Sequence, residues 1–351
     1  MKYTFNFKLI LSVCLCAFLA ASCVKEGPMG PSGEDGADGA DGRDGVDGNV
    51  TCLVCHASDN IESINAEFAM SGHFSGEKAV AYAGSRQGCA ECHSHEGFVQ
   101  YAEFGEVMGG ITNPSAWQCN TCHGIHETFE GEDYALRLND PVSAVYLEDI
   151  DSLATMDLIG NNNLCATCHQ TRTPEPNLET PGEETFYIGS SHYGPHHGPQ
   201  ANIVLGVGFA EIEGTANYPE QGSSYHYNED ASCIGCHMGE YENGGGHTWK
   251  ANLDACIDCH GTDMDDFNYG NGQALVESQL NELRDKLIEL GVVAGDEENG
   301  YHPVVGEYPM EQAQAYFNWI GLVEDRSLGA HNPKYVKALL ANTIEALEAN
   351  E

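Results

Sequence analysis

Cys119-Asn120-Thr121-Cys122-His123-Gly124-Ile125-His126 places two thiols and two imidazoles within eight residues. The spacing C-x-x-C-H sets two cysteines about one helical turn apart with a histidine directly after them. That is the attachment pattern of a c-type haem: the thiols add to the two porphyrin vinyl groups and the histidine binds the iron. His126 lies too near His123 to reach the opposite face of the same haem. As a ligand it would serve a neighbouring haem, so the peptide would clamp two cofactors side by side.

The pattern occurs at Cys52/Cys55/His56, Cys89/Cys92/His93, Cys119/Cys122/His123, Cys165/Cys168/His169, Cys233/Cys236/His237 and Cys256/Cys259/His260. Zinc knuckles also use C-x-x-C pairs, but zinc does not need a histidine directly after each one. With 16 histidines in 351 residues, chance would place one after all six pairs with odds of roughly one in 10⁸ under this spacing test. Six haem c groups are the cofactors this implies. The remaining cysteines, Cys14, Cys16 and Cys23, all fall in the first 23 residues. No thiol is left for a disulfide in the folded part, although an exported protein could hold one. Rigidity must come from thioether bonds and iron ligation.

Residues 1–22 read as a secretory signal, with Lys2 and Lys8 at its positive end and an apolar run from Leu9 to Ala21. The run is shorter than the ~20 apolar residues a membrane span needs. Leu19-Ala20-Ala21-Ser22-Cys23 looks like a lipobox, in which Cys23 would carry lipid and become the mature N-terminus. Val24 in place of aspartate resembles lipoproteins sent on to the outer membrane. Residues 23–50 then form the lipidated terminus and a tether. Glycine stands at every third position from Gly27 through Gly48, a collagen-like run with Pro28 and Pro31 at its start. The acidic residues Glu34, Asp35, Asp38, Asp41, Asp44 and Asp47 would repel one another in a trimer, which favours a solvated tether over a triple helix.

Residues 51–270 form the expected hexahaem-binding domain. The stretch is rich in glycine, poor in long helical patterns, and offers no continuous core of its own. Stacked porphyrins, with their large apolar faces, would supply much of the interior. Asn60 to Met70 carries Ile61, Ile64 and Phe68 at helical spacing and is expected to deliver His73 at its end. Residues 271–351 differ. Val276, Leu280, Leu283, Leu287 and Leu290 mark an amphipathic helix ending at Gly291. A second helix is expected from Met310 to Val323, burying Ala313, Phe317 and Ile320. A third has Asn332 as N-cap and Pro333 at its first position, with Val336, Leu340, Thr343 and Leu347 on one face. The fold class is therefore mainly α with much irregular structure, wrapped around stacked haems, with C-terminal helices packed on the haem domain.

Ten histidines lie outside the motifs: His73, His95, His126, His192, His196, His197, His226, His247, His302 and His331. Six irons need at most six of these as further ligands. Local stiffness favours His73 at a helix end, His126 beside a motif, His247 after Gly244-Gly245-Gly246, and His331 before a capped helix. His226 lies seven residues before Cys233 and travels with that haem segment. Among His192, His196 and His197, the approach fixed by Pro195 favours His196. That leaves His95, His192, His197 and His302 without an iron. Met70 and Met238 are the rival ligands, but the histidine supply makes them unnecessary. Irons held by two histidines are coordinatively saturated, so they pass electrons and bind substrates poorly.

The stretches GCAECHSHEGF, WQCNTCHGIH, NLCATCHQTRTP, HYGPHHGPQAN, SCIGCHM, GGHTW and GAHNPKYVKALL resemble a family of secreted multihaem cytochromes c from bacteria with extracellular electron transfer. They run from about Gly88 to the C-terminus. The resemblance implies electron transfer through a haem chain and supports His126, His196, His247 and His331 as axial ligands. The last stretch and its helices also look like the C-terminal part of multihaem nitrite reductases. Those enzymes commonly carry one C-x-x-C-K motif that leaves a catalytic iron open, whereas all six motifs here end in histidine.

Charge points the same way. The formal net charge is −40; removing the signal with Lys2 and Lys8 takes it to −42, and haem propionates make it more negative. Such a surface repels nitrite and sulfite rather than steering them inward, and it excludes nucleic acid or anionic lipid as ligands. It suits basic redox partner proteins, cationic mediators or metal ions. The expectation is an exported outer-membrane lipoprotein at the cell surface, relaying electrons to partner proteins or extracellular acceptors. A multihaem reductase with one open iron and a subunit of an extracellular cytochrome filament, or another homo-oligomer, are the alternatives.

Overall fold

Apolar side chains at helical spacing close three C-terminal helices onto one core. The computed structural model describes residues 56, 58–126, 135–228, 231–241, 244–262 and 264–349, all within one unit spanning 46–351. The signal segment, Cys23, the glycine-triplet run, Cys52 and Cys55 lie outside the described residues. The helices are Gly272–Glu289, Met310–Asp325 and Pro333–Glu348. Val276, Leu280, Leu283 and Leu287 of the first are buried, as are Val336, Leu340, Thr343 and Leu347 of the third. Leu290 was expected on the same stripe but is 39% exposed. The helix has already ended there, because Gly291 turns left-handed at φ 71° and its N–H donates back to Ile288. Met310–Asp325 buries Ala313 and Phe317, while Ile320 is only partly covered.

This core is not confined to the C-terminal segment. Phe186, Ile188, Ile203 and Phe209 belong to it. Polar pins hold the intervening loop in place. Asn318 donates to Ala210 O and accepts from Ala210 N, and Asn342 does the same with Ala216. Each pin satisfies backbone groups that burial would otherwise strand. Leu339 is fully buried in this core. Leu339→Ala is expected to cost about 2–5 kcal/mol, read as a lower denaturation midpoint in the haem-loaded protein.

Strands are few and short. Thr185–Ile188 pairs antiparallel with Gly306–Pro309, and Val293–Asp296 pairs antiparallel with Gly300–Pro303. Among the described residues two further sheets pair Val142–Ser143 with Thr155–Met156 and Glu240–Tyr241 with Gly244–Gly245.

The motif-bearing segments are built differently. In the described residues between 213 and 275 no hydrophobic side chain is buried, and the cluster around the second motif holds only Ala90, Val107 and Ile111. The first described helix, Ser58–Phe68, leaves Ile64 38% exposed rather than on a buried stripe. His73 does not sit at the end of that helix. It lies in a separate single turn, Gly72–Ser75, started by Ser71, whose hydroxyl accepts from Phe74 N at 3.1 Å. An N-cap serine can open a turn this short because it satisfies one of the helix's unpaired donors.

Candidate haem centres

Short helices carry the motifs and caps fix their directions. Gln87–His93 contains Cys89, Cys92 and His93. It stops where Ser94 turns extended and caps the next helix, His95–Phe104, by accepting from Gly97 N. Gly97 rests against the backbone of Ala90, where a Cβ would collide with the carbonyl, so glycine sets the crossing of these two helices. Cys119–Cys122 is a single turn, held by Gln118 and Thr121 in a reciprocal cap. Asn252 caps Leu253–His260, which carries the sixth motif.

Each motif histidine faces a second histidine. The ring centroids are 6.1 Å apart for His56 and His126, 5.9 Å for His93 and His196, and 6.3 Å for His123 and His247. They are 6.2 Å apart for His169 and His73, 6.4 Å for His237 and His331, and 6.1 Å for His260 and His226. Two imidazoles holding one metal from opposite sides, each with a metal–nitrogen bond of about 2 Å, bring their centroids about 6 Å apart. The six separations fit that geometry. His126 and His196 achieve it with left-handed backbone, φ 61° and 83°. Such conformations cost about 1–3 kcal/mol in a residue other than glycine and gather where structure serves a site.

No pair is formed within one motif segment. His126 follows the third motif and faces the first; His226 precedes the fifth and faces the sixth. His247 follows the fifth motif and faces the third. The segments therefore interlock. The fourth motif sits at their junction, with Cys165 against Cys233 and Cys168 against Cys92.

The surroundings of the rings also suit iron. A ligating histidine usually anchors its second nitrogen on a carbonyl or carboxylate, which fixes the tautomer and ring orientation. His237 Nδ1 lies 2.9 Å from the Trp249 carbonyl, His226 Nδ1 2.6 Å from that of Ala330, and His331 Nδ1 2.6 Å from Asp325 Oδ1. His169 Nδ1 is 3.2 Å from Gln200 Oε1. His196 Nε2 is buried without a hydrogen-bond partner. Burial lowers His73 to about 4, helped by His169, and lowers His196 to about 4, helped by Arg172. Both rings are thereby kept neutral, the form that donates a lone pair. His331 runs the other way: burial alone would lower it, but Asp325 outweighs burial and raises it.

Among the described residues no group of three or more histidine, cysteine or acidic side chains gathers into a metal cage. Burial pushes the Cys122 and Cys236 thiols up to about 11. An open cleft of about 350 Å³ borders Cys119, with Phe68, Phe74 and Trp117 in its wall. Its apolar lining suits a porphyrin face.

The rival and spare residues behave differently. Met70 is 59% exposed. His197 pairs with Glu324 at 3.0 Å, and that hydrogen bond raises its pKa. His95 bonds Thr121 Oγ1 at 2.8 Å. Two residues with evident roles had no reading in the sequence. The ring of Trp249 lies 4.8 Å from that of His73 and 5.5 Å from that of His247, while its carbonyl holds His237. Asp325 is the other. In the sequence Trp249 stands only as the end of the GGHTW stretch, two residues after His247, with no role of its own, and nothing flags Asp325.

Short cysteine-bearing helices, interlocked loops and a helical C-terminal part make this a cytochrome-like fold. A crystal structure of the outer cell wall cytochrome OcwA has a similar fold, with a TM-score of 0.50 and 17% sequence identity. The match covers 81% of this chain and 50% of that one, so the chain spans about half the length of its structural neighbour. No family model matches the sequence, and no curated protein does.

Proposed function

We propose that this chain is a multihaem c-type cytochrome that relays electrons along six covalently bound haems at the cell envelope. The observation that carries the reading is the facing of every motif histidine with a second histidine at 5.9–6.4 Å. Cys52, Cys55, Cys89, Cys92, Cys119, Cys122, Cys165, Cys168, Cys233, Cys236, Cys256 and Cys259 hold the porphyrins. His56, His93, His123, His169, His237 and His260 bind iron from one side, and His126, His196, His247, His73, His331 and His226 from the other. The haems carry single electrons. The chain interlocks their attachment segments and sets potentials through the groups on their outer nitrogens.

The likeness to an outer cell wall cytochrome supports an exported protein, and the signal segment with Cys23 supports a lipid anchor in the outer membrane. The acidic surface suits basic redox partner proteins or cationic acceptors. Paired histidines favour this relay over a reductase with an open iron. Intact mass and haem quantitation are expected to give six haems per chain, with a ferric spectrum that is entirely low-spin. A zinc-loaded protein without haem would overturn the reading. A high-spin ferric haem that binds carbon monoxide on reduction would shift it to the reductase.

A further inference from the structure

Of the four histidines with no motif partner, His95 and His197 have the local bonds described above. The other two, His192 and His302, are both exposed and face one another. Their ring centroids are 5.9 Å apart with planes at 75°. This separation falls within the range of the six motif pairs, yet no C-x-x-C segment accompanies it.

Strand register brings the two together. In the antiparallel pair Thr185–Ile188 and Gly306–Pro309, Ile188 stands opposite Gly306. His192 lies four residues beyond Ile188 and His302 four residues before Gly306, so continuing the register past the last rung sets them opposite each other. Both backbones are held. His302 is paired with Ala294 in the strand Gly300–Pro303. His192 lies in a turn where its N–H donates to Ser190 Oγ at 3.1 Å and Tyr193 N donates to Ser190 O at 3.1 Å. Tyr193 is in turn tied to the core, because its carbonyl accepts from Tyr316 Oη at 2.9 Å.

We propose that His192 and His302 form a surface site for a divalent first-row transition ion, copper(II) in preference to nickel(II) or zinc(II). Imidazole suits these ions, and their affinity order for a given nitrogen site peaks at copper. Two side chains leave the other coordination positions to water, so the ion is exchangeable. A net charge of −40 concentrates cations around the chain before any ligand is engaged. The site is separate from the proposed haem irons, since neither histidine faces a motif histidine.

The test is titration of copper(II) sulfate into the oxidised haem-loaded protein, with the double variant His192→Gln/His302→Gln measuring adventitious binding to the acidic surface. The wild type is expected to bind one more copper per chain than the double variant. Loss of an outer-shell group alone typically weakens a site about 10- to 100-fold, so each single variant is expected to bind at least about tenfold more weakly. Copper electron paramagnetic resonance should show nitrogen couplings in the wild type that vanish in the double variant. Unchanged haem absorption in all variants establishes that the fold and the haem ligation persist. Equal copper stoichiometry and affinity in wild type and double variant would overturn the site, as would nitrogen couplings that survive the double substitution.

Discussion

His126→Ala is expected to convert the haem attached at Cys52 and Cys55 from low to high spin while the haem attached at Cys119 and Cys122, next to the substitution in sequence, stays low-spin. The ring of His126 lies 6.1 Å from that of His56 with the planes only 14° from parallel, whereas His123, three residues earlier, faces His247. Losing the imidazole opens one coordination position on one iron of six. High-spin ferric signal should account for about one sixth of the haem, and the reduced variant should bind one carbon monoxide per chain. Because His126 already holds left-handed backbone at φ 61°, a strain that any side chain with a Cβ carries, alanine keeps that strain and glycine relieves it. His126→Gly removes the same imidazole without that strain and should give the same spectrum. Six low-spin haems in both variants would mean that His126 holds no iron.

Asp325→Asn is expected to raise one of the haem potentials, that of the centre formed by Cys233, Cys236, His237 and His331. The Asp325 side chain is 1% exposed and its Oδ1 lies 2.6 Å from His331 Nδ1. Its other oxygen accepts a very short hydrogen bond from Ser327 Oγ, and that hydroxyl oxygen accepts from the backbone N–H of Gly329 and of His331. A buried negative charge on the outer nitrogen makes the imidazole a stronger donor and stabilises ferric over ferrous iron. Asparagine keeps the shape and the acceptor but removes the charge. Hydrogen bonds to charged groups exceed neutral ones by about 1–2 kcal/mol, which for a one-electron couple corresponds to about 40–90 mV upward. Spectroelectrochemical titration would show one step displaced. Superimposable titrations of variant and wild type would mean that Asp325 only orients the ring.

Function and fold are legible to different depths. Attachment chemistry demands a fixed local spacing, so the six motifs can be found without any knowledge of the fold. Local stiffness at His73, His126, His247 and His331, the closeness of His226 to Cys233 and the Pro195 beside His196 singled out the six rings that stand opposite the motif histidines. Helical periodicity located the three C-terminal helices, with misses at Leu290 and at the second helix's end, which reaches Asp325. The helix expected to deliver His73 ends at Phe68, and Ser71 caps a separate turn that carries His73.

Sequence by itself determined the residue types and their spacings: six C-x-x-C-H motifs, a surplus of histidine, an acidic chain and apolar stripes at the C-terminus. Those follow from covalent and periodic rules that operate over a few residues. Which histidine faces which motif was decided only by the tertiary structure, because every pair joins segments whose approach depends on packing and on left-handed turns at residues such as His126, His196 and Trp249. The same holds for Asp325 beneath His331, for Trp249 between two rings, and for His192 opposite His302. In each case the partners are brought together by long-range burial and strand register, which local spacing does not encode.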